Sequence, residues 1–134
     1  MKRFFIAYRH TGENLLELEQ RLNKIEIALA THKIKSYATL SEEEEFVKDK
    51  YSASQIMERA FQKIASMDGL FVLINSNDKS EGQLMEVGYA IAIKKPIVVA
   101  YQKDVKTYVP ELATQSVAYR DIDDLVEKIK ELDL

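Results

Sequence analysis

The chain has 134 residues, of which 46% are hydrophobic and 31% charged, and its formal net charge is -3 at pH 7. This length is enough for one domain with a hydrophobic core, and the slight acidity offers none of the basic surface that binds nucleic acid polymers. The absence of cysteine excludes disulfide bonds and thiol catalysis. Only two histidines are present, far apart in sequence, so a structural zinc site is not expected.

The first third of the chain predicts two strands separated by a long helix. The segment "RFFIAY" (3–8) is aromatic and branched without polar alternation, which is typical of a strand covered on both faces. Asn14 and Glu17 have the spacing of a capping box, and leucine and isoleucine then recur at helical spacing. The segment "IKSYAT" (34–39) alternates and predicts a more exposed strand. The acidic run 41–49 begins like a helix and is expected to be a solvated excursion.

The rest of the chain continues the alternation of helices and strands. The predicted elements are a helix at 54–66, a strand "GLFVLI" at 69–74, a helix from Ser80, a strand "PIVVAY" at 96–101, a short strand "SVAY" and a helix that begins after Asp121. Parallel strands joined by helices require right-handed crossovers. We therefore predict a single α/β domain over 1–134, a three-layer doubly wound fold with a flavodoxin- or Rossmann-like, parallel five-stranded sheet. Ligands of such folds bind beyond the carboxyl ends of the strands.

The segment "SEGQLMEVGYAIAIKK" (80–95) carries the main functional signal. Its only carboxylate between Gly82 and Ile93 is Glu86, in a helix so apolar that we expect it to be buried on most sides. A buried carboxylate without a partner is costly, so Glu86 should be either partnered or used in chemistry; a solvated glutamate is the alternative. Gly88, in the helix interior, suggests close approach by a neighbouring element or a ligand.

The stretch "SEGQLMEVGYA" resembles the motif S/D-x-G-x-x-x-E-x-G-x-A of the nucleoside 2-deoxyribosyltransferase family, which includes 2'-deoxynucleoside 5'-monophosphate N-hydrolases. The aromatic first strand, "MDGLFVLI" and "KKPIVVAY" also fall where the family has such segments. The resemblance implies that Glu86 is the nucleophile that attacks C1' of the deoxyribose as the base leaves, with no metal or organic cofactor. It also implies a nucleotide or nucleoside ligand and a homodimer in which the neighbour completes the site.

Further candidate ligands lie near the predicted strand ends. Ser80 and Gly82 begin the helix that carries Glu86, where a hydroxyl and backbone amides suit a 5'-phosphate; Ser80 as a simple N-cap is compatible with this role. Arg9 could bind phosphate and His10 could donate a proton near neutral pH, although both could belong to an ordinary polar loop. Tyr8 is expected to line the pocket.

The sequence departs from the family at Ala60, eight residues before Asp68, where the family usually has an aspartate that protonates or positions the leaving base. The loss of a general acid costs on the order of 10²- to 10⁴-fold in rate. One alternative is therefore a binding or signalling module of the same fold that turns nothing over. A second is a TIR-like NAD-cleaving domain, because "FFIAYRHTGEN" resembles the opening of TIR domains. A third is an interaction domain without a small ligand.

The same sequence features predict a cytoplasmic protein without a membrane segment. No apolar run approaches the 18 residues of a membrane-spanning helix, and the apolar stretch that follows the basic pair at the N-terminus is too short for a signal peptide. A cysteine-free chain also fits a reducing compartment.

Overall fold

The computed structural model describes residues 1–134 and contains five strands and five α-helices. The strands are β1 (Lys2–Ala7), β2 (Ile34–Tyr37), β3 (Gly69–Ile74), β4 (Ile97–Gln102) and β5 (Gln115–Tyr119). The helices are α1 (Leu15–Ala30), α2 (Glu43–Lys48), α3 (Ala53–Ser66), α4 (Glu81–Ala92) and α5 (Ile122–Glu131), with 3₁₀ turns at Thr39–Glu42 and Val109–Leu112. None of the helices combines the length and apolar composition needed to cross a bilayer.

The strands form one parallel sheet in the order β2-β1-β3-β4-β5. From β1 the chain passes outward to β2 and then returns to the other side of β1 to form β3. The direction of winding therefore reverses between β1 and β3, and in open α/β sheets the crevice at such a switch point is the usual place for a ligand. The predicted three-layer doubly wound fold is confirmed.

The core consists of two layers, one on each face of the sheet. Phe71 and Leu73 of β3 pack with α1 and α5, while Leu70 and Val72 point to the other face and pack with α3 and α4. Every residue of β3 is buried, which explains why this strand is apolar throughout and lacks polar alternation. The hydrophobic run at 69–74 thus identified the central strand correctly.

The expectation that α4 is buried on most sides is wrong. Val87 faces the core, but Leu84, Met85 and Ile91 are exposed, and the exposed fraction of Met85 is 51%. The reason is architectural: α4 lies in an outer layer, so the sheet covers one stripe of it and leaves the opposite face open. At Gly88 no atom lies within 4 Å of the position that a Cβ would occupy, so the predicted close approach does not occur within the chain.

The acidic run 41–49 is more ordered than the sequence indicates. Phe46 is buried, and the carboxylate of Glu42 accepts hydrogen bonds from the Tyr37 hydroxyl and the Arg59 guanidinium. Burial alone would raise the pKa of Glu42, but these two donors together hold it below its ordinary value. Because Arg59 belongs to α3, this contact fixes the run against α3 beside the carboxyl end of β1.

Candidate active site

A cavity of about 240 Å³ opens beyond β1, beside the N-terminus of α4. Its wall combines the loop after β1, the 3₁₀ turn and α2, the first turns of α3, and α4. The lining residues are Tyr8, His10, Thr11, Thr39, Glu43, Phe46, Ile56, Met57, Ser80, Gly82, Gln83 and Glu86. A second cavity, on the far side of Ser80, holds about 40 Å³, and neither Glu86 nor Tyr8 lines it. The cavity that Glu86 lines is therefore the candidate site.

Glu86 is a buried carboxyl group on the wall of this cavity. Only 8% of the residue is exposed, and its side chain makes no hydrogen bond or ion pair, so the solvated alternative is wrong. Burial raises the pKa of Glu86 from 4.5 to about 8. The carboxyl group is thus largely protonated at neutral pH, and positive charge developing beside it would favour the ionised form. A side chain in this state is suited to chemistry on a cationic centre.

Gln83 holds α4 in place one turn before Glu86. Its side-chain amide donates hydrogen bonds to the carbonyl oxygens of Ala7, at 3.1 Å, and Leu73, at 2.7 Å, which lie near the ends of β1 and β3. Ser80 caps the same helix, because its Oγ accepts a hydrogen bond from the backbone N–H of Gln83. The nucleophile candidate is therefore carried by a helix that is attached to both central strands. Sequence reasoning missed Gln83, although an amide in an otherwise apolar helix was the available signal.

We expect Gln83→Leu to lower the free energy of unfolding by about 1–3 kcal/mol, because the change leaves two buried carbonyl groups without donors. Urea unfolding measures the change. Gln62→Leu, at an exposed position on α3, is the matched control and should shift the value by no more than about 0.5 kcal/mol. Equal midpoints for the two variants would show that the Gln83 hydrogen bonds contribute nothing net.

Tyr8 places a protonated hydroxyl group in the cavity. The residue is buried, and its hydroxyl shares a hydrogen bond of 3.1 Å with Thr39 Oγ1. Burial raises the pKa of Tyr8 to about 12, and the nearby carboxylates of Glu43 and Glu86 act in the same direction. Tyr8 therefore remains neutral across the physiological range and can hydrogen-bond a sugar hydroxyl.

His10 and Glu43 form a second polar pair on the wall. His10 Nε2 lies 3.8 Å from Glu43 Oε1, beyond hydrogen-bond distance, and this buried nitrogen has no hydrogen-bond partner. Both side chains are partly open to solvent, with exposed fractions of 41% and 37%. Nothing in the sequence singles out Glu43 within the run of four glutamates at 42–45. No three His, Asp or Glu side chains of the chain converge in a way that could hold a metal ion.

Comparison with known families identifies the family of the chain. The family model described as nucleoside 2-deoxyribosyltransferase matches residues 14–130. The chain belongs to the nucleoside 2-deoxyribosyltransferase family. This confirms the family that the segment carrying Glu86 predicted. No curated protein sequence matches the chain.

Several solved structures share the fold at low sequence identity. The CMP N-glycosidase of Clostridium botulinum superposes with a TM-score of 0.71 and 15% identity, covering 98% of this chain and 100% of that chain. A 2-deoxyribosyltransferase of Bacillus psychrosaccharolyticus gives 0.69 and 15%, covering 98% and 93%. A conserved protein of Enterococcus faecalis V583 gives 0.69 and 17%, covering 98% of each chain. At these identities the similarity concerns the fold alone.

Five of the six predicted site residues of this family member lie on the cavity: Tyr8, His10, Ser80, Gly82 and Glu86. Arg9 is not part of the lining. Its guanidinium lies 3.2 Å from Glu13 Oε1 and 3.7 Å from Asp78 Oδ2, because the side chain turns toward the start of α1 and the loop after β3. Arg9 is thus already paired with two carboxylates.

The departure from the family at Ala60 has a clear structural setting. Ala60 is buried in the core between α3 and the sheet, as its place in the helical pattern predicted. One turn earlier, α3 contributes Ile56 and Met57 to the cavity, so its part of the wall is apolar. No carboxylate of α3 lines the cavity, and a proton for a leaving group would have to come from another element.

Proposed function

We propose that this protein cleaves or transfers the N-glycosidic bond of a deoxynucleotide or deoxynucleoside, with Glu86 as the nucleophile. The observation that carries the proposal is the buried, unpartnered carboxyl group of Glu86 on the wall of a cavity at the switch point of the sheet. The family and fold support glycosyl transfer or cleavage. Two proteins with this fold are a CMP N-glycosidase and a 2-deoxyribosyltransferase.

The chemistry of the bond suits an ionised Glu86. As the bond from C1' to the base nitrogen breaks, its electron pair moves to the base and positive charge develops on C1' and the ring oxygen. The carboxylate stabilises this charge and then bonds C1' to form a glycosyl ester. Water attacks C1' of the ester in hydrolysis, and a second base attacks it in transfer. The apolar surroundings of Glu86 strengthen its attraction to the developing charge.

The N-terminus of α4 is the proposed place for the phosphate or sugar hydroxyls. Ser80 Oγ accepts a hydrogen bond from the Gln83 amide, which leaves the hydroxyl hydrogen free to donate to an anion. Gly82 presents its backbone without a side chain beside the cavity. Arg9 could join a bound phosphate only by giving up its contacts with Glu13 and Asp78. Tyr8 is the proposed sugar contact.

A substrate panel tests the proposed function. The protein is incubated with deoxynucleoside monophosphates, deoxynucleosides, CMP and NAD, and free base is followed by chromatography. The proposal expects base release from at least one deoxynucleotide or deoxynucleoside, and addition of a second free base separates transfer from hydrolysis. Release of nicotinamide from NAD alone would favour the TIR-like alternative. Base release that persists undiminished in Glu86→Ala would contradict the mechanism.

The second candidate function is a nucleotide-binding or signalling module that turns nothing over. Ala60 favours it, since the helix that would supply the usual aspartate lines the cavity with apolar groups. Ligand-induced thermal stabilisation without product after long incubation would select this function. A cytoplasmic location is part of both proposals, because nucleotides are made and degraded there.

A homodimer remains the proposed assembly, and the open face of α4 supports it. Met85 and Ile91 are exposed there, and no atom crowds Gly88. A largely apolar groove of about 580 Å³ runs between α3 and α4 and shares Ile56, Met57 and Gly82 with the active-site cavity. A second copy of the chain that covered this groove would also close the site.

Met85→Asp should convert the dimer to a monomer and lower base release, because it places a charge in the centre of the proposed contact. Sedimentation velocity measures the assembly. Leu16→Asp, which makes the same kind of change at an exposed position on α1, should leave the dimer intact. Monomer mass for the unsubstituted protein at micromolar concentration would contradict the proposal.

A further inference from the structure

The departure of the base requires a proton, and α3 cannot supply it. The bond from C1' to nitrogen breaks with its electrons on the base, so protonation of the base lowers the barrier. Ala60 is buried away from the cavity, and Ile56 and Met57 form the wall that α3 provides. Four titratable side chains line the cavity: Tyr8, His10, Glu43 and Glu86.

Two of these four groups are unsuited to the task. Burial raises the pKa of Tyr8 to about 12, which makes its hydroxyl a weak acid near neutral pH. Glu86 is the proposed nucleophile and has to be ionised when the base leaves. His10 and Glu43 remain, on the loop after β1 and at the start of α2.

Several features of the His10–Glu43 pair fit a proton donor. An imidazole changes its charge near neutral pH and can give and regain a proton during turnover. His10 Nε2 is buried without a hydrogen-bond partner and faces Glu43 Oε1 across 3.8 Å, so the nitrogen is free to bond a ligand. The partial exposure of both side chains gives them contact with the solvent from which the proton is restored. Glu43 is held in place because its neighbour Glu42 is bonded to Tyr37 and Arg59.

We propose that His10 donates the proton to the leaving base and that Glu43, a positioning residue whose carboxylate lies 3.8 Å from Nε2, stabilises the imidazolium by its charge. The inference rests on the proposed function. The reaction starts from the ionised form of Glu86, whose proton has passed to solvent. In the first step the Nε2 proton of His10 passes to the base as the C1'–N bond breaks and the Glu86 carboxylate bonds C1'. In the second step water gives its hydroxide to C1' and its proton to His10, and Glu86 is released as a carboxylate. The net change is the addition of one water across the glycosidic bond.

A substrate whose base already carries a positive charge tests whether His10 acts as a proton donor, because such a base can leave without being protonated. The probe is the accepted deoxynucleotide beside its counterpart with a ring-methylated, cationic base, such as 7-methylguanine for a purine or 3-methylcytosine for a pyrimidine. A cationic base departs as a neutral molecule and needs no proton. His10→Gln should lower kcat about 10²-fold or more on the ordinary substrate and less than about threefold on the cationic one. KM should change little, because the proton transfer acts in the transition state.

Three further variants complete the experiment. Glu43→Gln should give the same selective loss of kcat with a smaller magnitude, and KM for both substrates should stay unchanged, because the carboxylate stabilises the donor and does not hold the substrate. Glu44→Gln is the matched control on α2 and should behave as the wild type on both substrates. Glu86→Gln should lose activity on both substrates, which distinguishes the nucleophile from the proton donor.

The outcomes separate the two proposals. Equal losses on both substrates in His10→Gln, or no loss on the ordinary substrate, would overturn the proton-donor role and leave the proposed function standing. If the wild-type protein releases base from neither substrate, both proposals fail together. Far-UV circular dichroism and the urea midpoint of His10→Gln are measured first, so that an equal loss on both substrates reports on the chemistry of a folded variant.

Discussion

Glu86→Gln is expected to lower kcat for base release by roughly 10³- to 10⁶-fold, the range seen when a catalytic nucleophile is removed. Glutamine keeps the size of the side chain but cannot bond C1' as an ester or neutralise the developing positive charge. Chromatographic assay of free base under saturating substrate measures the effect. Glu127→Gln, the same chemical change at an exposed position on α5, is the control and should retain full activity.

The covalent step gives this prediction a second readout. Brief incubation with substrate and rapid denaturation in acid should leave a fraction of the wild-type chain heavier by the mass of the sugar unit, as seen by mass spectrometry. The added mass should map to the peptide that contains Glu86 and be absent from Glu86→Gln. A sugar adduct on another carboxylate, with activity retained in Glu86→Gln, would assign the nucleophile elsewhere.

The free energy of unfolding of the wild-type protein is expected to fall as the pH rises from about 5 to about 9, by up to roughly 5 kcal/mol. The folded state raises the pKa of Glu86 from 4.5 to about 8. Between these values the folded chain holds a proton that the unfolded chain has released, so each rise in pH favours unfolding. The contribution is fully present below pH 4.5 and is lost as the pH passes through about 8.

Glu86→Gln should flatten this profile and be more stable than the wild type at pH 9, because a neutral amide replaces a carboxylate that is costly to bury. Urea unfolding at pH 5, 7 and 9 measures both chains. Glu127→Gln should keep the wild-type slope. Glu26, whose pKa is also raised by burial, adds a contribution of the same sign that persists in every variant. Parallel profiles for the wild type and Glu86→Gln would show that the carboxylate is solvated in solution.

The sequence predicted the sheet, the helices and the nucleophile candidate for the same physical reason. The strand "GLFVLI" is buried on both faces, so its apolar run has no ambiguity, and Glu86 stands out because a charge in an apolar helix is costly. The apolar pattern of α4 was less informative. It could not distinguish a face that packs on the sheet from one left open, and Met85 lies on the open face.

The residues that the sequence could not assign depend on long-range pairing. Arg59 binds Glu42, which lies 17 residues earlier in the chain. This contact determines that the next residue, Glu43, is the glutamate that faces the cavity. The position of Arg9 outside the cavity likewise reflects its pairing with Glu13 and Asp78. Neither position could be predicted from the spacing of residues, because an ion pair between separate elements leaves no regular pattern in the sequence.

The two hydrogen bonds from Gln83 to strands β1 and β3 have a consequence for where the cavity can change. They tie the helix that carries Glu86 to the buried centre of the sheet, whereas the segment around α2 is secured separately, through Glu42 and Arg59. Substitutions in that peripheral segment, Glu43 excepted, can therefore reshape the cavity wall while Glu86 stays where it is. The position of Glu86 and the shape of the opposite cavity wall are thus set by different contacts.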